Sequence, residues 1–231
     1  MTETAEKALT LAERSRPDTL RINEIFYSIQ GEGSRAGERC IFIRLTGCGL
    51  RCTYCDTEYA FYEGSDRSIG EVLEQISGYD CRLVELTGGE PLEQEGAFTL
   101  ISELLDRGYD VMIETGGHVA IDRVDTRVKR IMDLKTPSSS MSKRNLLSNI
   151  EYLTRHDEVK FVIAGREDYD WTREMIARFD LGKKVGTILL SPVHGSQSLE
   201  ELSQWILSDS LPVKLQVQLH KLIWPNIERG V

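Results

Sequence analysis

Gly47-Cys48-Gly49-Leu50-Arg51-Cys52-Thr53-Tyr54-Cys55-Asp56-Thr57 carries three of the chain's five cysteines, spaced C-x3-C-x2-C. Three thiolates so close together suit a four-iron cluster that keeps one iron without a protein ligand, and such an iron is a chemical site. A structural zinc wants a closed set of four ligands, usually two separated pairs. A purely electron-carrying [4Fe–4S] cluster likewise wants four thiolates. Neither set is offered here. Cys40 opens the run Cys40-Ile41-Phe42-Ile43-Arg44-Leu45 and Cys81 stands just ahead of Leu83-Val84-Glu85-Leu86, both as ordinary residues at strand starts. An odd number of cysteines in a chain long enough to bury a core also speaks against a disulfide framework.

On both sides of this stretch, short β-rich runs at 23–29, 41–46, 83–87, 110–114, 130–134, 158–163, 187–190 and 214–219 alternate with amphipathic ones. The amphipathic stretches, at 69–76, 97–105, 146–153, 171–179 and 199–207, repeat apolar residues three or four apart, as a helix with one buried face does. Strand–helix alternation predicts an α/β fold, a parallel sheet with helices outside, in a barrel or doubly wound layout. Catalytic groups then belong at the carboxyl ends of the strands. The polar segments obey this rule: the cysteine stretch, Thr87-Gly88-Gly89-Glu90-Pro91, Glu114-Thr115-Gly116-Gly117-His118, Asp133-Leu134-Lys135-Thr136-Pro137 and Ser191-Pro192-Val193-His194-Gly195 each follow a strand. They are expected to converge on one rim. The two glycines after Thr87 let the backbone approach a ligand closely and expose main-chain groups to it, although a plain strand-to-helix turn explains them equally well.

Residues 1–20 read as an N-terminal extension, weakly helical over 2–17, and 21–231 as a single domain. With 231 residues and 40% hydrophobic content the chain is an ordinary globular protein. A formal charge of −9 and a pI near 5.1 argue against nucleic acid as a partner, since a polyphosphate backbone requires a basic face. No apolar run approaches the length of a membrane span and the polar start is not an export signal. A cytoplasmic protein acting on a small molecule is expected, a setting that also keeps thiolates reduced.

The cysteine motif, Thr87-Gly88-Gly89-Glu90-Pro91 and the alternation together resemble the radical S-adenosylmethionine superfamily, whose fold is an incomplete TIM-like barrel with the cluster loop after its first strand. The resemblance implies that Cys48, Cys52 and Cys55 hold a [4Fe–4S] cluster whose fourth iron takes the amino and carboxylate groups of S-adenosylmethionine. It implies further cofactor contacts at Tyr54, Asp56, Gly89 and Glu114, at Asp133, Leu134 and Lys135, and at Ser191, Pro192, Val193 and His194. Phe26-Tyr27-Ser28-Ile29-Gln30-Gly31-Glu32-Gly33, Phe42-Ile43-Arg44-Leu45-Thr46-Gly47-Cys48, Cys55-Asp56-Thr57 and Val217-Gln218-Leu219-His220-Lys221 are more narrowly similar to the 7-carboxy-7-deazaguanine synthases. That family implies a lyase of queuosine and deazapurine biosynthesis, in a tRNA modification pathway. Its reaction converts 6-carboxy-5,6,7,8-tetrahydropterin to 7-carboxy-7-deazaguanine with release of ammonia. By the same resemblance, Ile29, Gln30, Gly31, Thr87 and Pro225 contact the pterin, Arg44 pairs with its carboxylate, and Thr57 offers its hydroxyl to Mg²⁺. A flavodoxin- or ferredoxin-like one-electron reductant and a homodimer are implied as well. The alternative is an activating enzyme that installs a glycyl radical on a partner protein; it would need a peptide groove and no Arg44 or Thr57 at the substrate.

Overall fold

The computed structural model describes residues 18–231, so the weakly helical stretch 2–17 lies outside the described residues. Among the described residues nine strands form one sheet, in the order β3-β1-β2-β4-β5-β6-β7-β8-β9. β1 (Thr19–Ile29) runs antiparallel to both β2 (Arg39–Leu45) and β3 (Ser65–Ser68). From β2 onward every neighbouring pair is parallel, through β4 (Leu83–Gly88), β5 (Asp110–Thr115), β6 (Lys129–Asp133), β7 (Glu158–Ile163), β8 (Thr187–Pro192) and β9 (Lys214–Leu215). β3 and β9 end the sheet without pairing to each other. The barrel is therefore incomplete, as the resemblance implied. Among the described residues no helix is long and apolar enough to cross a membrane.

Alternation along the strands divides the sheet into two faces. Ile41, Ile43 and Leu45 of β2 point into the main core beneath α1 (Ile69–Ser77) and α2 (Glu95–Asp106), together with Val84, Leu86, Val111 and Ile113. α1 forms where it does because Ser68 and Glu71 close a capping box, and Ile69, Val72, Leu73 and Ile76 then bury one stripe. Such a cap stabilises a helix by about 1 kcal/mol. α3 (Arg166–Arg178), α4 (Leu181–Lys184) and α5 (Leu199–Ser208) continue the outer layer.

The opposite strand parity faces the barrel interior and changes character along its length. At the amino ends Phe26, Cys40, Phe42, Leu83, Met112 and Ile131 make a small apolar plug, with Phe26 and Phe42 stacked at 4.8 Å. Two to four residues further along, the same parity supplies Arg44, Thr87, Glu114 and Asp133. The parallel registers Arg44↔Thr87 and Asp133↔Lys160 bring these polar groups level with one another.

Three segments depart from the sequence reading. Residues 146–153 form a 3-10 helix, Leu147–Tyr152, because buried Asn149 ties it down: its amide donates to the Gly117 and Val119 carbonyls and accepts from Ile121 N–H. The expected strand 214–219 shrinks to two residues, since Gln216 and Gln218 turn inward to Glu32 and the chain continues as α6 (Leu219–Ile223). At the other end the first strand begins at Thr19, with Leu20 1% exposed, four residues earlier than the strand expected from 23.

Candidate active site

The carboxyl ends of the parallel strands surround a cavity of about 700 Å³. Its floor is the cysteine loop. After β2, Gly47 adopts φ +98° and donates to Ala60 O at 2.9 Å, which turns the chain sharply. Thr53 then anchors the loop to the opposite wall, donating from its amide to Ser139 O and from its hydroxyl to Ser138 O. Cys48, Cys52 and Cys55 are free, half-buried and all reach the cavity. Among the described residues no three Cys, His, Asp or Glu side chains converge closely enough to hold a single metal ion.

The donor set fits an iron–sulfur cluster. Burial pushes the Cys48 thiol up to about 11 and raises Cys52, while Lys135 pulls against it at both. Thiols of this kind lose their protons when a cation takes them as ligands. The Leu50 amide already donates to Cys48 Sγ at 3.4 Å, a backbone contact suited to a metal-bound sulfur.

Thr87-Gly88-Gly89-Glu90-Pro91 packs directly against this loop. Gly88 takes φ +121°, Gly89 N donates to Leu45 O at 3.0 Å and Glu90 N to Gly47 O at 2.7 Å. The remaining wall carries a polar network in which Lys160 Nζ reaches Glu32 at 3.0 Å and Glu114 at 3.3 Å, and Thr87 donates to Glu114 at 3.4 Å. Beside it Lys135 Nζ holds Asp133 Oδ2 at 2.8 Å and leaves Asp133 Oδ1 buried with no partner. Orphaned buried acceptors are rare. Facing a cavity, this one fits a ligand that brings a hydroxyl or ammonium.

Residues 42–206 match the model of the Radical SAM superfamily. The 7-carboxy-7-deazaguanine synthase of Chlorobaculum tepidum is 46% identical over 215 residues, covering 92% of this chain and 97% of that protein. The chain belongs to the 7-carboxy-7-deazaguanine synthase family. Two further synthases support this, from Koribacter versatilis (39% identical, 92% of this chain and 100% of that one) and Thermoplasma acidophilum (34%, 89% and 98%). In fold the chain is similar to the crystal structure of QueE from Escherichia coli, with TM-score 0.71 at 24% identity over 87% of this chain and 95% of that one. As a radical SAM protein of this family it is a lyase that works with a [4Fe–4S] cluster and S-adenosylmethionine. These relatives favour the synthase over the glycyl-radical activating alternative.

With one exception, each residue to which the synthase resemblance assigned a contact lines the cavity. Leu134 does not: strand alternation turns Asp133 and Lys135 inward and sends Leu134, fully buried, into the helix-side core. Only its amide faces the sheet, donating to Lys160 O at 2.9 Å. Thr57 lies beside Cys55, Oγ1 3.7 Å from Sγ. Asp56 is held down at about 2: burial raises it, and the Lys221 ammonium and Gln218 amide outweigh burial.

Arg44 is oriented before any substrate binds. Its Nε donates to Glu24 at 2.8 Å, Tyr59 OH donates to the same carboxylate oxygen at 3.1 Å, and the guanidinium lies 5.7 Å from the Phe26 ring. Among the described residues its two terminal nitrogens make no hydrogen bond within the chain, which leaves a planar pair of donors in the cavity.

Sequence reasoning missed Glu32, Glu85, Lys160, Gln218 and His220, all of which line the cavity. For Glu85 a signal existed: it is the one charge of its strand, and charges are rarely buried there without a partner. Lys160 shares its strand with a second charge, Glu158. Glu85 receives the Gln30 amide at 2.5 Å. Burial first, then the nearby Glu114 charge, hold its carboxyl well above the ordinary range. The folded protein therefore binds a proton there that the unfolded chain releases near pH 4.5, and stability falls as pH rises from that value toward the folded one. Glu85→Gln keeps the bond to Gln30 and removes the titration. Its melting temperature is expected to exceed the parent's by a margin that grows between pH 5 and pH 8, and a constant margin in thermal scans would refute this.

Proposed function

We propose that this chain converts 6-carboxy-5,6,7,8-tetrahydropterin to 7-carboxy-7-deazaguanine with release of ammonia, in the formation of deazapurines such as queuosine. The observation that carries the reading is the arrangement of one cavity, in which the three-thiol loop, the Gly88-Gly89 turn and the two free nitrogens of Arg44 face the same space. Family membership supplies the reaction, and the cavity supplies a place for each partner in it.

Cys48, Cys52 and Cys55 would hold the cluster, which with S-adenosylmethionine supplies hydrogen-atom abstraction from an unactivated carbon. Tyr54, Asp56, Gly89 and Glu114 would line the cofactor's side, with Asp133, Lys135 and Ser191 to His194 beyond them. The free Asp133 Oδ1 gives that side an acceptor. On the other side Ile29, Gln30 and Gly31 would face the pterin ring, with Thr87 and Pro225 at its edges. Arg44 would take the carboxylate through both oxygens. The chain's own work is then to fix the pterin carbon against the cofactor and to exclude water.

Mg²⁺ at Thr57 belongs to the same proposal, because a hard cation is satisfied by a hydroxyl, waters and substrate oxygens. Thr57→Ala is expected to raise the Mg²⁺ concentration for half-maximal turnover by at least the roughly 10- to 100-fold that losing an outer-shell partner entails, with unchanged iron content. An external flavodoxin- or ferredoxin-like protein would supply the electron, and the cytoplasm would keep cluster and thiols reduced. Residues 21–231 would act as one domain. Exposed Leu207, Leu215, Leu222 and Ile227, at 77%, 40%, 64% and 51%, support a homodimer. The deciding experiment is anaerobic reconstitution with iron and sulfide, followed by assay with S-adenosylmethionine, reductant and carboxytetrahydropterin. Deazaguanine and ammonia are the expected products; bound zinc without acid-labile sulfide would overturn the reading.

A further inference from the structure

Outside the cavity wall, behind the cysteine loop, a histidine is clamped between two carboxylates. Glu93 Oε1 accepts from the Gly49 amide at 2.9 Å and from His118 Nε2 at 2.9 Å. The His118 side chain is 3% exposed, and its other nitrogen, Nδ1, has no hydrogen-bond partner and faces Glu90 Oε2 at 3.6 Å. Glu90 is fully buried and spoken for, accepting from Leu92 N at 3.1 Å, Thr115 Oγ1 at 2.9 Å and Gly116 N at 2.8 Å. Two glycines make room for the arrangement. A Cβ on Gly49 would lie 2.5 Å from Glu93 Oε1, and one on Gly116 would lie 3.2 Å from His118 Nδ1.

This chain of contacts ends at one backbone N–H, that of the residue following Cys48. Glu93 itself keeps 35% of its side chain exposed, so the ion pair at that end contributes little to fold stability. Its effect at the loop is electrical. The potential of an iron–sulfur cluster is set by net charge and by hydrogen bonds to its sulfurs. A carboxylate that occupies the Gly49 N–H withholds that donor from the sulfurs and adds negative charge beside them. Both effects disfavour the extra electron on the cluster and so make the reduced cluster a stronger reductant. Splitting a sulfonium by one electron demands such a reductant.

We propose that Glu93, held in place by His118 and Glu90, is a positioning residue that keeps the cluster at Cys48, Cys52 and Cys55 at a low reduction potential. The inference rests on the cluster reading given above, and its test separates the two. Parent, Glu93→Gln, His118→Ala and His118→Gln proteins are reconstituted anaerobically. Each is measured for iron and sulfide content, for melting temperature without iron, and for midpoint potential by EPR-monitored titration with dithionite-class reductants. Glu93→Gln retains the bonds to Gly49 and His118 but not the charge. It is expected to raise the reduced-to-oxidised ratio at a fixed ambient potential at least tenfold, which for one electron is a shift of about 59 mV. His118→Ala releases Glu93 from Gly49 and should shift the ratio the same way, whereas His118→Gln, which restores a donor, should return it to within threefold of the parent. A ratio within threefold of the parent in Glu93→Gln overturns the proposal, whatever the other variants do. So does a lowered melting temperature with an unchanged potential, which would make the pair a structural tie. If His118→Ala fails to fold, Glu93→Gln decides alone, because its site is partly exposed. A parent that binds no iron and sulfide would remove the cluster reading itself, and this inference with it.

Discussion

Gly89→Ala is expected to strip the protein of most of its iron and to weaken S-adenosylmethionine binding at least tenfold, while a matched substitution elsewhere does nothing. A Cβ built on Gly89 overlaps the Gly47 carbonyl group, with its carbon 2.5 Å away and Gly47 N at 3.1 Å. Neither partner is a flexible side-chain end that could swing aside. Gly47 is itself fixed by its bond to Ala60 O, and Glu90 N donates to the very carbonyl that would be struck. The only relief is to separate the Gly88-Gly89 turn from the cysteine loop, which breaks that bond and displaces Cys48 from its companions. Overpacking of this sort costs about 1–3 kcal/mol and more where backbone is hit, and in a protein of this size each kcal/mol lowers the melting temperature by roughly 2–4 °C. The fold should therefore survive, melting roughly 5–10 °C lower, while the site does not. Gly182→Ala in α4 is the control, since a Cβ there meets nothing within 4 Å and alanine is favoured over glycine within a helix. Iron analysis, calorimetry and cofactor titration distinguish the pair. A Gly89→Ala protein that keeps its iron and binds S-adenosylmethionine within twofold of the parent would show that the contact between turn and loop is dispensable.

The site was legible in the sequence wherever its parts are local. Three cysteines within eight residues announce their shared task, and strand parity alone puts Arg44, Thr87, Glu114 and Asp133 on one face. The parallel alternation from β2 onward predicted the rim on which they meet. What could not be read are the pairings between distant groups. Glu32 meets Lys160 across 128 residues and Gln216 across 184, and no periodicity encodes such partners. Glu85 is an isolated charge in its strand and Lys160 follows Glu158 in its own, but only the fold shows that Glu85 and Lys160 share one network. Leu134 shows the limit of carrying a run of neighbours together: its side chain is turned to the core by the same alternation that turns Asp133 and Lys135 to the cavity. β3, only four polar residues, had no pattern to find; it exists because Thr19 to Ile22 offer it an edge.

Arg44→Lys is expected to raise KM for carboxytetrahydropterin at least 100-fold with a much smaller change in kcat. A guanidinium serves two masters at once here. Its Nε is committed to Glu24, which is in turn fixed by Tyr59, and its two terminal nitrogens remain parallel and free for both oxygens of a carboxylate. An ammonium has no such division of labour. Lysine at this position must either stay with Glu24 and abandon the substrate, or turn to the substrate and leave Glu24 partly buried beside it without a cation. Loss of a charge-assisted bond in a largely desolvated place removes about 1.5–3 kcal/mol, and a 100-fold change corresponds to about 2.8 kcal/mol. A pterin lacking the carboxylate supplies the decisive comparison. The parent should bind that analogue as poorly as the variant binds the natural substrate, and Arg44→Lys should worsen its binding no further, because the two changes remove the same interaction. Independent, additive losses in the four binding measurements would mean that Arg44 orients some other group and that the carboxylate is recognised elsewhere in the cavity.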